Sequence, residues 1–227
     1  MLKAVIFDLD DTLYPELEYV FSGYRAVAAW SAARFKTSQE TGHAELIDLF
    51  RQGKRHHIFN QWLARYDLDS EENALELLRV YREHKPTIRL FPGVVCLLQE
   101  LRSQFRLGLV SDGYLNMQTL KLAALGVEPE FDAIVLSDSL GSDAWKPSPR
   151  PFQAVLEQLK VLPAEAVYVG DNPTKDFVGA RCAGMRSIRC LHLGGLYSEI
   201  EPASPEHAPD MSIFSLQDLA CALEAMF

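Results

Sequence analysis

Short apolar runs alternate with longer amphipathic stretches along most of this chain. The runs that predict β-strands cover residues 3–7, 106–110, 133–136, 166–169, 187–191 and 213–214. Between them, apolar residues recur at spacings of three and four, which is the period of a helix with one buried face. Strands that are apolar throughout and alternate with helices indicate a parallel sheet covered on both faces. The pattern therefore predicts an α/β fold.

One long stretch between the first two predicted strands interrupts this alternation. From about residue 15 to residue 87 the chain shows helical spacing and almost no strand signal. Four amphipathic helices are predicted there, and the last of them starts at Ser70 and stops before Pro86. We therefore expect two domains, a sheet-containing core of residues 1–14 and 88–227 and an inserted all-α helical bundle of residues 15–87.

Polar residues follow the predicted strands at corresponding places. They are Asp8 and Asp10 after the first strand, Ser111 after the second, and Asp171 after the fourth. In a parallel sheet the carboxyl ends of the strands open onto one edge, so these side chains can converge. Asp8 and Asp10 are two residues apart and leave an extended backbone on the same side. Two carboxylates that face one crevice suit a hard cation such as Mg²⁺, or a nucleophile paired with an acid or base.

The charge balance and the cysteines narrow the range of partners. Lysine and arginine number 22 and the acidic residues 31, which gives a net charge of −9. Nucleic acid polymers and anionic membranes need basic patches, so neither is expected as a partner. The N-terminal apolar run is too short for a signal peptide, and no run approaches the ~20 residues of a membrane span. The four cysteines have no metal-binding spacing, and we expect reduced, mostly buried thiols in a cytoplasmic protein.

Four short motifs lie in order at the predicted strand ends and in one loop. They are Asp8-Leu9-Asp10-Asp11-Thr12, Ser111-Asp112-Gly113, Lys146-Pro147 and Gly170-Asp171, the last followed by Asp176. This combination resembles the haloacid dehalogenase superfamily, and in particular its phosphatase branch. The resemblance covers residues 1–14 and 88–227, and it implies a Rossmann-like core in which helices flank a parallel sheet. The insert at 15–87 is similar in position and character to the helical cap of that family.

The resemblance implies a reaction at the first motif. In the family, the carboxylate at the position of Asp8 attacks phosphorus and forms an aspartyl-phosphate. The group at Asp10 protonates the leaving alcohol and then activates water. Mg²⁺ is held by the carboxylate of Asp8, the backbone carbonyl of Asp10, and Asp171, whereas Asp176 is expected to orient Lys146 or a metal-bound water. Burial and neighbouring carboxylates are expected to raise the pKa of Asp10, as an acid near neutral pH requires.

Phosphate-binding groups are expected at the remaining motif positions. A phosphoryl group carries its charge on oxygens, so the site must supply hydrogen-bond donors and positive charge. The candidates are the hydroxyls of Thr12 and Ser111, the backbone N–H groups around Asp112 and Gly113 near a predicted helix N-terminus, and the charge of Lys146.

Three other polar features receive structural interpretations. The side chain of Asp112 is expected to cap the helix that follows it. Asp11 is expected to start a helix or to be solvated, because aspartate is common in both places. The cluster Lys54-Arg55-His56-His57 in the insert is interpreted as a solvated helix face.

Together these expectations point to a Mg²⁺-dependent phosphatase. Its small-molecule substrate would be a phosphomonoester of the sugar phosphate, phosphoglycolate or nucleoside monophosphate type. A phosphomutase, which passes the phosphoryl group to a sugar, is the main alternative. Removal of halide from a 2-haloacid is disfavoured, because such dehalogenases need no metal and typically lack the second acidic residue, here Asp10. A non-catalytic regulatory protein is disfavoured because no catalytic position is missing.

Overall fold

The computed structural model describes all 227 residues, and they form two compact units. The first unit comprises Met1–Glu16 and Arg89–Phe227, and the second comprises Leu17–Ile88. The expected domain boundaries differ from these limits by no more than two residues. Within the first unit, the backbone N–H of Phe91 donates to the carbonyl of Leu13 over 2.9 Å, next to the two points where the chain leaves and re-enters this unit.

A six-stranded parallel sheet forms the centre of the first unit. Its strands are β1 Ala4–Phe7, β2 Arg106–Ser111, β3 Ala133–Leu136, β4 Ala166–Gly170, β5 Arg186–Cys190 and β6 Met211–Ile213. The strand order is β3-β2-β1-β4-β5-β6, and every neighbouring pair is parallel. β1 and β4 are buried at every position, which explains why their sequences are apolar throughout. The predicted α/β fold with a parallel, Rossmann-like sheet is confirmed.

The register of the central strands brings their carboxyl ends side by side. Phe7, the last residue of β1, lies opposite Leu109 of β2 and Val169 of β4. In chain order, β1 to β3 occupy one side of the sheet and β4 to β6 the other, so the direction of winding switches between β1 and β4. Ligands of open α/β sheets bind beyond the carboxyl ends of the strands at such a switch point. The fold therefore directs attention to the residues just after Phe7 and Gly170.

Nine α-helices accompany the sheet. In chain order they are α1 Glu16–Phe35, α2 Gln39–Arg51, α3 Ile58–Leu63, α4 Glu71–Glu83, α5 Val94–Arg102, α6 Leu115–Leu125, α7 Arg150–Leu159, α8 Asp176–Cys182 and α9 Leu219–Met226. α7 packs on β2 and β3 through a helical stripe of Phe152, Val155, Leu156 and Leu159. α6 ends at Gly126, whose φ of +66° is a left-handed conformation that glycine adopts without a Cβ clash.

The second unit is all-α, as the spacing predicts. It contains most of α1 together with α2, α3 and α4. Its interior is rich in aromatic rings: Trp62 is fully buried, and the rings of Tyr24 and Phe59 meet edge to face with centroids 6.3 Å apart. Ser70 caps α4 as predicted, because its Oγ accepts a hydrogen bond from the backbone N–H of Asn73 over 3.1 Å.

The cluster Lys54–His57 lies in a connection and not on a helix. α2 ends at Arg51 and α3 begins at Ile58, and the four side chains between them are exposed. The prediction that these side chains are solvated is confirmed, and the prediction that they lie on a helix is wrong. Arg55 and His57 also line a cavity of about 690 Å³ within the second unit, whose other walls are mainly aromatic and aliphatic.

Two further expectations concern the thiols and membrane segments. Cys190 is buried, whereas Cys96, Cys182 and Cys221 are exposed, and all four are free thiols. The expectation of mostly buried thiols is therefore wrong, because three of them lie on the solvent-facing sides of α5, α8 and α9. None of the helices combines the length and the apolar character needed to cross a membrane.

Candidate active site

The polar residues that follow the strands meet at the carboxyl edge of the sheet. A cavity of about 220 Å³ opens there, between the ends of the strands and the start of α6. Its lining includes five of the residues indicated by the sequence, namely Asp8, Asp10, Asp112, Gly113 and Asp171. The order of the parallel strands therefore brings three of the four motifs into one cavity.

Lys146 and Asp176 lie behind this lining and form an ion network with Asp8. The Nζ atom of Lys146 lies 2.7 Å from Asp8 Oδ1, 2.7 Å from Asp176 Oδ1, and 2.9 Å from the hydroxyl of Tyr168. An ammonium has three N–H donors, so all of them are used within the protein. Burial opposes the charge of Lys146, but Asp176 and Asp8 hold the pKa of its ammonium well above the ordinary value. Lys146 is therefore a fixed positive charge beside Asp8, and Asp176 contacts it as an orienting residue would.

Three buried carboxylates crowd the same corner of the site. Oxygen atoms of Asp8, Asp171 and Asp176 lie within 4.8 Å of one another. Burial raises the pKa of Asp8 to about 6, and the charge of Lys146 only partly offsets this effect. Burial and the charges of Asp176 and Asp8 raise the pKa of Asp171 well above the ordinary value. The cluster thus holds more negative charge than Lys146 neutralises, and its oxygen donors are of the kind that a hard divalent cation prefers.

Asp10 has different surroundings. Its Oδ1 lies 2.6 Å from the Nζ of Lys121 and also accepts a hydrogen bond from the hydroxyl of Tyr14. Its Oδ2 accepts a hydrogen bond from Gln118 Nε2 over 2.8 Å. Burial alone would raise the pKa of Asp10, but the charge of Lys121 and the three hydrogen bonds lower it below the ordinary value. The expectation of a raised pKa is therefore wrong, because Lys121 on α6 outweighs the neighbouring carboxylates.

The Ser111 hydroxyl is oriented by the same helix. Gln118 Nε2 donates to Ser111 Oγ over 2.5 Å, so the serine oxygen is the acceptor and its proton is left to be donated elsewhere. Gln118 also packs against Gly113, where a Cβ would come within 3.0 Å of the amide carbon. A side chain at Gly113 would therefore disturb this contact. Thr12, by contrast, is fully buried, its Oγ1 has no hydrogen-bond partner, and it does not line the cavity.

Asp112 does not cap the helix that follows it. Its carboxylate accepts hydrogen bonds from Ser137 Oγ over 2.6 Å and from the backbone N–H of Lys146 over 3.2 Å. It also lies 3.4 Å from the Nζ of Lys175. The first backbone N–H of α6 donates to Asp138 instead, over 2.9 Å. The capping interpretation of Asp112 is therefore wrong, and this side chain fixes the loop that carries Lys146.

Asp11 is buried and joins two distant segments. Its Oδ1 accepts a hydrogen bond from the backbone N–H of Glu16 over 2.8 Å, and its Oδ2 accepts one from Leu196 over 2.6 Å. The first contact lies at the start of α1, as expected, whereas the solvated interpretation is wrong. The second contact holds the loop after β5. Arg189 of β5 also holds this loop, because it donates to the carbonyl of Tyr197. Because Tyr197 lines the cavity, Asp11 and Arg189 help to define its wall.

Sequence reasoning missed five further residues of the site. They are Tyr14, Gln118, Lys121, Tyr168 and Lys175. A signal exists for two of them, because Gln118 and Lys121 are three residues apart on the predicted helix after Ser111 and so share one face. Both are buried, which is unusual for a glutamine and a lysine without a specific partner.

Several known proteins are similar to this chain in sequence and structure. The family model described as haloacid dehalogenase-like hydrolase matches residues 2–184. The chain is 35% identical over 221 residues to a glyceraldehyde 3-phosphate phosphatase of Methanopyrus kandleri, which covers 94% of this chain and 93% of that protein. It is 27% identical over 255 aligned positions to a phosphoserine phosphatase of Thermus thermophilus, covering 97% and 99% of the two chains. The crystal structure of an HAD phosphatase from Thermococcus onnurineus covers 98% of each chain at 26% identity and a TM-score of 0.64.

The family match includes all four motifs of the site, from Asp8 in the first to Asp176 in the last. The alignment to the archaeal relative extends over nearly the whole of both chains, so the agreement is not confined to a short segment. The resemblance seen in the sequence is confirmed, and this chain is an enzyme of the haloacid dehalogenase-like hydrolase family.

Proposed function

We propose that this hydrolase is a Mg²⁺-dependent phosphatase that cleaves a small phosphate monoester through an aspartyl-phosphate on Asp8. The observation that carries the proposal is a buried carboxylate, Asp8, held between Lys146 and Asp171, with the separately held Asp10 in the same cavity. The names of the two relatives, glyceraldehyde 3-phosphate phosphatase and phosphoserine phosphatase, support a small phosphate ester as the substrate class.

The carboxylate cluster fits a magnesium ion. Its donors are oxygens close enough to share one ion, and its excess negative charge favours a cation. Asp8 and Asp171 would hold the ion together with the backbone carbonyl of Asp10, whereas Asp176 is already paired with Lys146. When bound, Mg²⁺ neutralises charge on the phosphoryl oxygens and so reduces the repulsion that a carboxylate nucleophile meets.

Asp8 attacks phosphorus in this proposal. Lys146 contacts its Oδ1, which leaves the other oxygen for the attack. A bond forms between that oxygen and phosphorus while the bond from phosphorus to the leaving oxygen breaks, and Asp10 gives its proton to the leaving oxygen. In the second half-reaction, Asp10 takes a proton from water, the water oxygen attacks phosphorus, and the carboxylate of Asp8 is released with inorganic phosphate. The negative charge of a bound phosphate favours the protonated form of Asp10 that the first step requires.

Donors at the second motif would bind the phosphoryl oxygens. Ser111 keeps its proton for such a bond, because Gln118 donates to its oxygen and does not accept from it. The backbone N–H groups of Asp112 and Gly113 are the other candidates at this end of the cavity. One well-aligned donor is typically worth about 3 kcal/mol in the transition state. The burial of Thr12 away from the cavity lining favours a structural role for its hydroxyl.

We assign the role of a cap to the all-α unit Leu17–Ile88. A cap that closes excludes water while the aspartyl-phosphate forms, and its opening admits water for the second half-reaction. A site enclosed by such a cap would accept small metabolites and reject macromolecules.

The exposed free thiols of Cys96, Cys182 and Cys221 suit a reducing compartment, which supports the cytoplasm as the location.

Hydrolysis of p-nitrophenyl phosphate tests the proposal. We expect turnover that requires Mg²⁺ and that falls by on the order of 10⁴-fold in Asp8→Asn, which removes the nucleophile at nearly constant size. Asp143→Asn is the matched control, because this carboxylate is 79% exposed on the surface, and it should leave turnover unchanged. Turnover without a divalent cation, or turnover retained in Asp8→Asn, would contradict the mechanism.

A panel of phosphate esters then identifies the substrate. Glyceraldehyde 3-phosphate, phosphoserine, phosphoglycolate, sugar phosphates and nucleoside monophosphates are compared by kcat/KM, which measures discrimination between competing substrates. The class with the highest value is the substrate class. Product analysis separates hydrolysis, which releases inorganic phosphate, from a mutase reaction, which yields an isomeric sugar phosphate.

A further inference from the structure

Lys121 lies in the catalytic cavity, yet the proposed function gives it no role. It belongs to α6, is buried, and lines the cavity beside Asp10. Its Nζ lies 2.6 Å from Asp10 Oδ1, and the two side chains are 5% and 16% exposed. Both charges lose hydration in such a pair, so its geometry must be held by other contacts. The contact between Lys121 and Asp10 is therefore not a solvent-exposed ion pair of the kind that contributes little to stability.

Lys121 is part of a clamp on both oxygens of Asp10. Lys121 and the hydroxyl of Tyr14 donate to Oδ1, and the amide of Gln118 donates to Oδ2. Gln118 and Lys121 share one face of α6, and Gln118 also donates to Ser111. One helix face therefore aligns the carboxylate that exchanges protons with the hydroxyl that would meet the phosphate.

A purely structural link between α6 and the first motif is the alternative explanation. Water weakens an ion pair that it can reach. An ion pair that only joined α6 to the first motif would therefore be stronger if it lay behind the cavity wall than in the cavity lining. α6 also has other anchors: its first backbone N–H donates to Asp138, and Leu122 is buried. The place of Lys121 next to the reacting groups is therefore better explained by an effect on the reaction.

We propose that Lys121 is a positioning residue that acts on the reaction through Asp10, an inference that rests on the proposed function. By holding the carboxylate in one orientation, Lys121 sets the path along which Asp10 passes a proton to the leaving oxygen and later receives one from water. A misplacement of about 1 Å costs on the order of 10²-fold in rate. Lys121 does not bind substrate in this role, so substrate affinity does not depend on it.

The test follows nitrophenolate release from p-nitrophenyl phosphate in the wild type and in Lys121→Met. Nitrophenolate leaves without a proton, so formation of the aspartyl-phosphate survives the substitution, whereas its hydrolysis needs Asp10 as a base and slows. We expect a burst of about one nitrophenolate per enzyme molecule, followed by a steady state slower by on the order of 10²-fold. The burst rate should depend on substrate concentration as in the wild type. An alkyl phosphate has a leaving oxygen that needs a proton from Asp10. With such a substrate, Lys121→Met should show no burst of the released alcohol.

Three further variants separate positioning from stability. Lys121→Arg keeps the charge and should recover part of the steady-state rate. Thr119→Ala, on the exposed side of α6, should behave as the wild type. Lys121→Met leaves a buried carboxylate without its ion-pair partner, whereas the double variant Asp10→Asn/Lys121→Met removes both charges and so folds more readily. If Lys121 acts through Asp10, the double variant is no slower than Asp10→Asn alone.

Three results would overturn this inference alone, in a preparation whose wild type shows Mg²⁺-dependent turnover. They are an equal loss of burst and steady-state rates in Lys121→Met, a burst that needs much more substrate, and a double variant slower than Asp10→Asn. A burst retained in Asp8→Asn would instead overturn the proposed function and this inference with it.

Discussion

Two aspartates of the first motif, Asp8 and Asp10, are two residues apart and have opposite electrostatic surroundings. Each pairs with a buried lysine, Lys146 beside Asp8 and Lys121 beside Asp10. Burial nevertheless raises the pKa of Asp8 to about 6, whereas the pKa of Asp10 is lowered by its partners. The difference lies in the other groups that each pair contacts.

On the Asp8 side, negative charge exceeds positive charge. Lys146 is shared with Asp176, and Asp171 adds a third carboxylate that forms no salt bridge. On the other side, Asp10 combines its lysine with two neutral donors from Tyr14 and Gln118. The Asp8 side therefore has a place for a divalent cation, whereas both oxygens of Asp10 are held by donors of the protein itself. The electrostatic difference between the two aspartates therefore follows from the groups around each of them and not from their places in the motif.

Replacing each of the two lysines with methionine should give the largest difference between the Asp8 side and the Asp10 side. Lys146→Met removes the charge beside the proposed nucleophile, Asp8. We expect kcat/KM for p-nitrophenyl phosphate to fall by on the order of 10³-fold, because attack on phosphorus itself becomes slow. Rapid-mixing measurements should then show no burst, in contrast to Lys121→Met. A full burst in Lys146→Met would mean that Lys146 does not serve the first half-reaction.

Neutralising Asp10 should also destabilise the protein. Asp10→Asn takes from the buried Lys121 the carboxylate in direct contact with it, and breaking a buried pair typically costs 3–5 kcal/mol. We expect about 3 kcal/mol here, because the pair lines a cavity that water can enter. The melting temperature in the absence of divalent cations should fall by about 10 °C. The double variant Asp10→Asn/Lys121→Met should regain most of this loss, and an unchanged Tm in Asp10→Asn would show that the pair is not structurally integrated.

Magnesium should stabilise the protein through the Asp8 side. At about 100 times its Kd, a bound ion adds about 2.7 kcal/mol to the free energy of unfolding, or about 5–10 °C in Tm. Asp171→Asn should lose this shift. Without the ion, Asp171→Asn should melt at or above the wild-type temperature, because it removes one of three crowded carboxylates. Chelation with EDTA is the control, and an equal Mg²⁺ shift in both proteins would mean that the ion binds elsewhere.

Breaking a surface ion pair should have the smallest effect on stability, and it gives a reference for the buried pairs. Arg150 Nη1 lies 2.6 Å from Asp143 Oδ2, as close as the atoms of the buried pair, but the two side chains are 47% and 79% exposed. Such pairs contribute about 0–1 kcal/mol. Asp143→Asn should therefore shift the midpoint of urea unfolding only slightly, and less still in high salt. A loss comparable to that of Asp10→Asn would mean that burial does not decide how much these ion pairs contribute.

The strands and the motif residues were predictable because their signals are local. The change from an apolar run to an acidic residue at Phe7 and Asp8 is visible in the sequence, and the register of a parallel sheet turns that change into a shared edge. The same reasoning applies to Ser111 and Asp171, each at the end of its own strand.

The surroundings of Asp10 and Asp11 were not predictable, because their partners are distant in sequence. Lys121 lies 111 residues beyond Asp10, and its contact depends on how α6 packs. From neighbouring residues alone, the acidic character of the motif suggests a raised pKa for Asp10, and only the fold reverses it. Asp11 looks solvated for the same reason, although it accepts a hydrogen bond from Leu196, 185 residues away.

The backbone hydrogen bond between Phe91 and Leu13 has a consequence for how this enzyme can diversify. It joins the segment before the unit Leu17–Ile88 to the segment after it, so this unit is an insertion whose two ends are held together within the first unit. The entropy of closing a loop grows slowly with its length, by about 0.6 kcal/mol for each doubling. Helical units of other lengths can therefore replace this insertion with little effect on the stability of the sheet. If the insert is a cap as proposed, the cap and the residues of the candidate active site occupy separate stretches of sequence that can evolve independently.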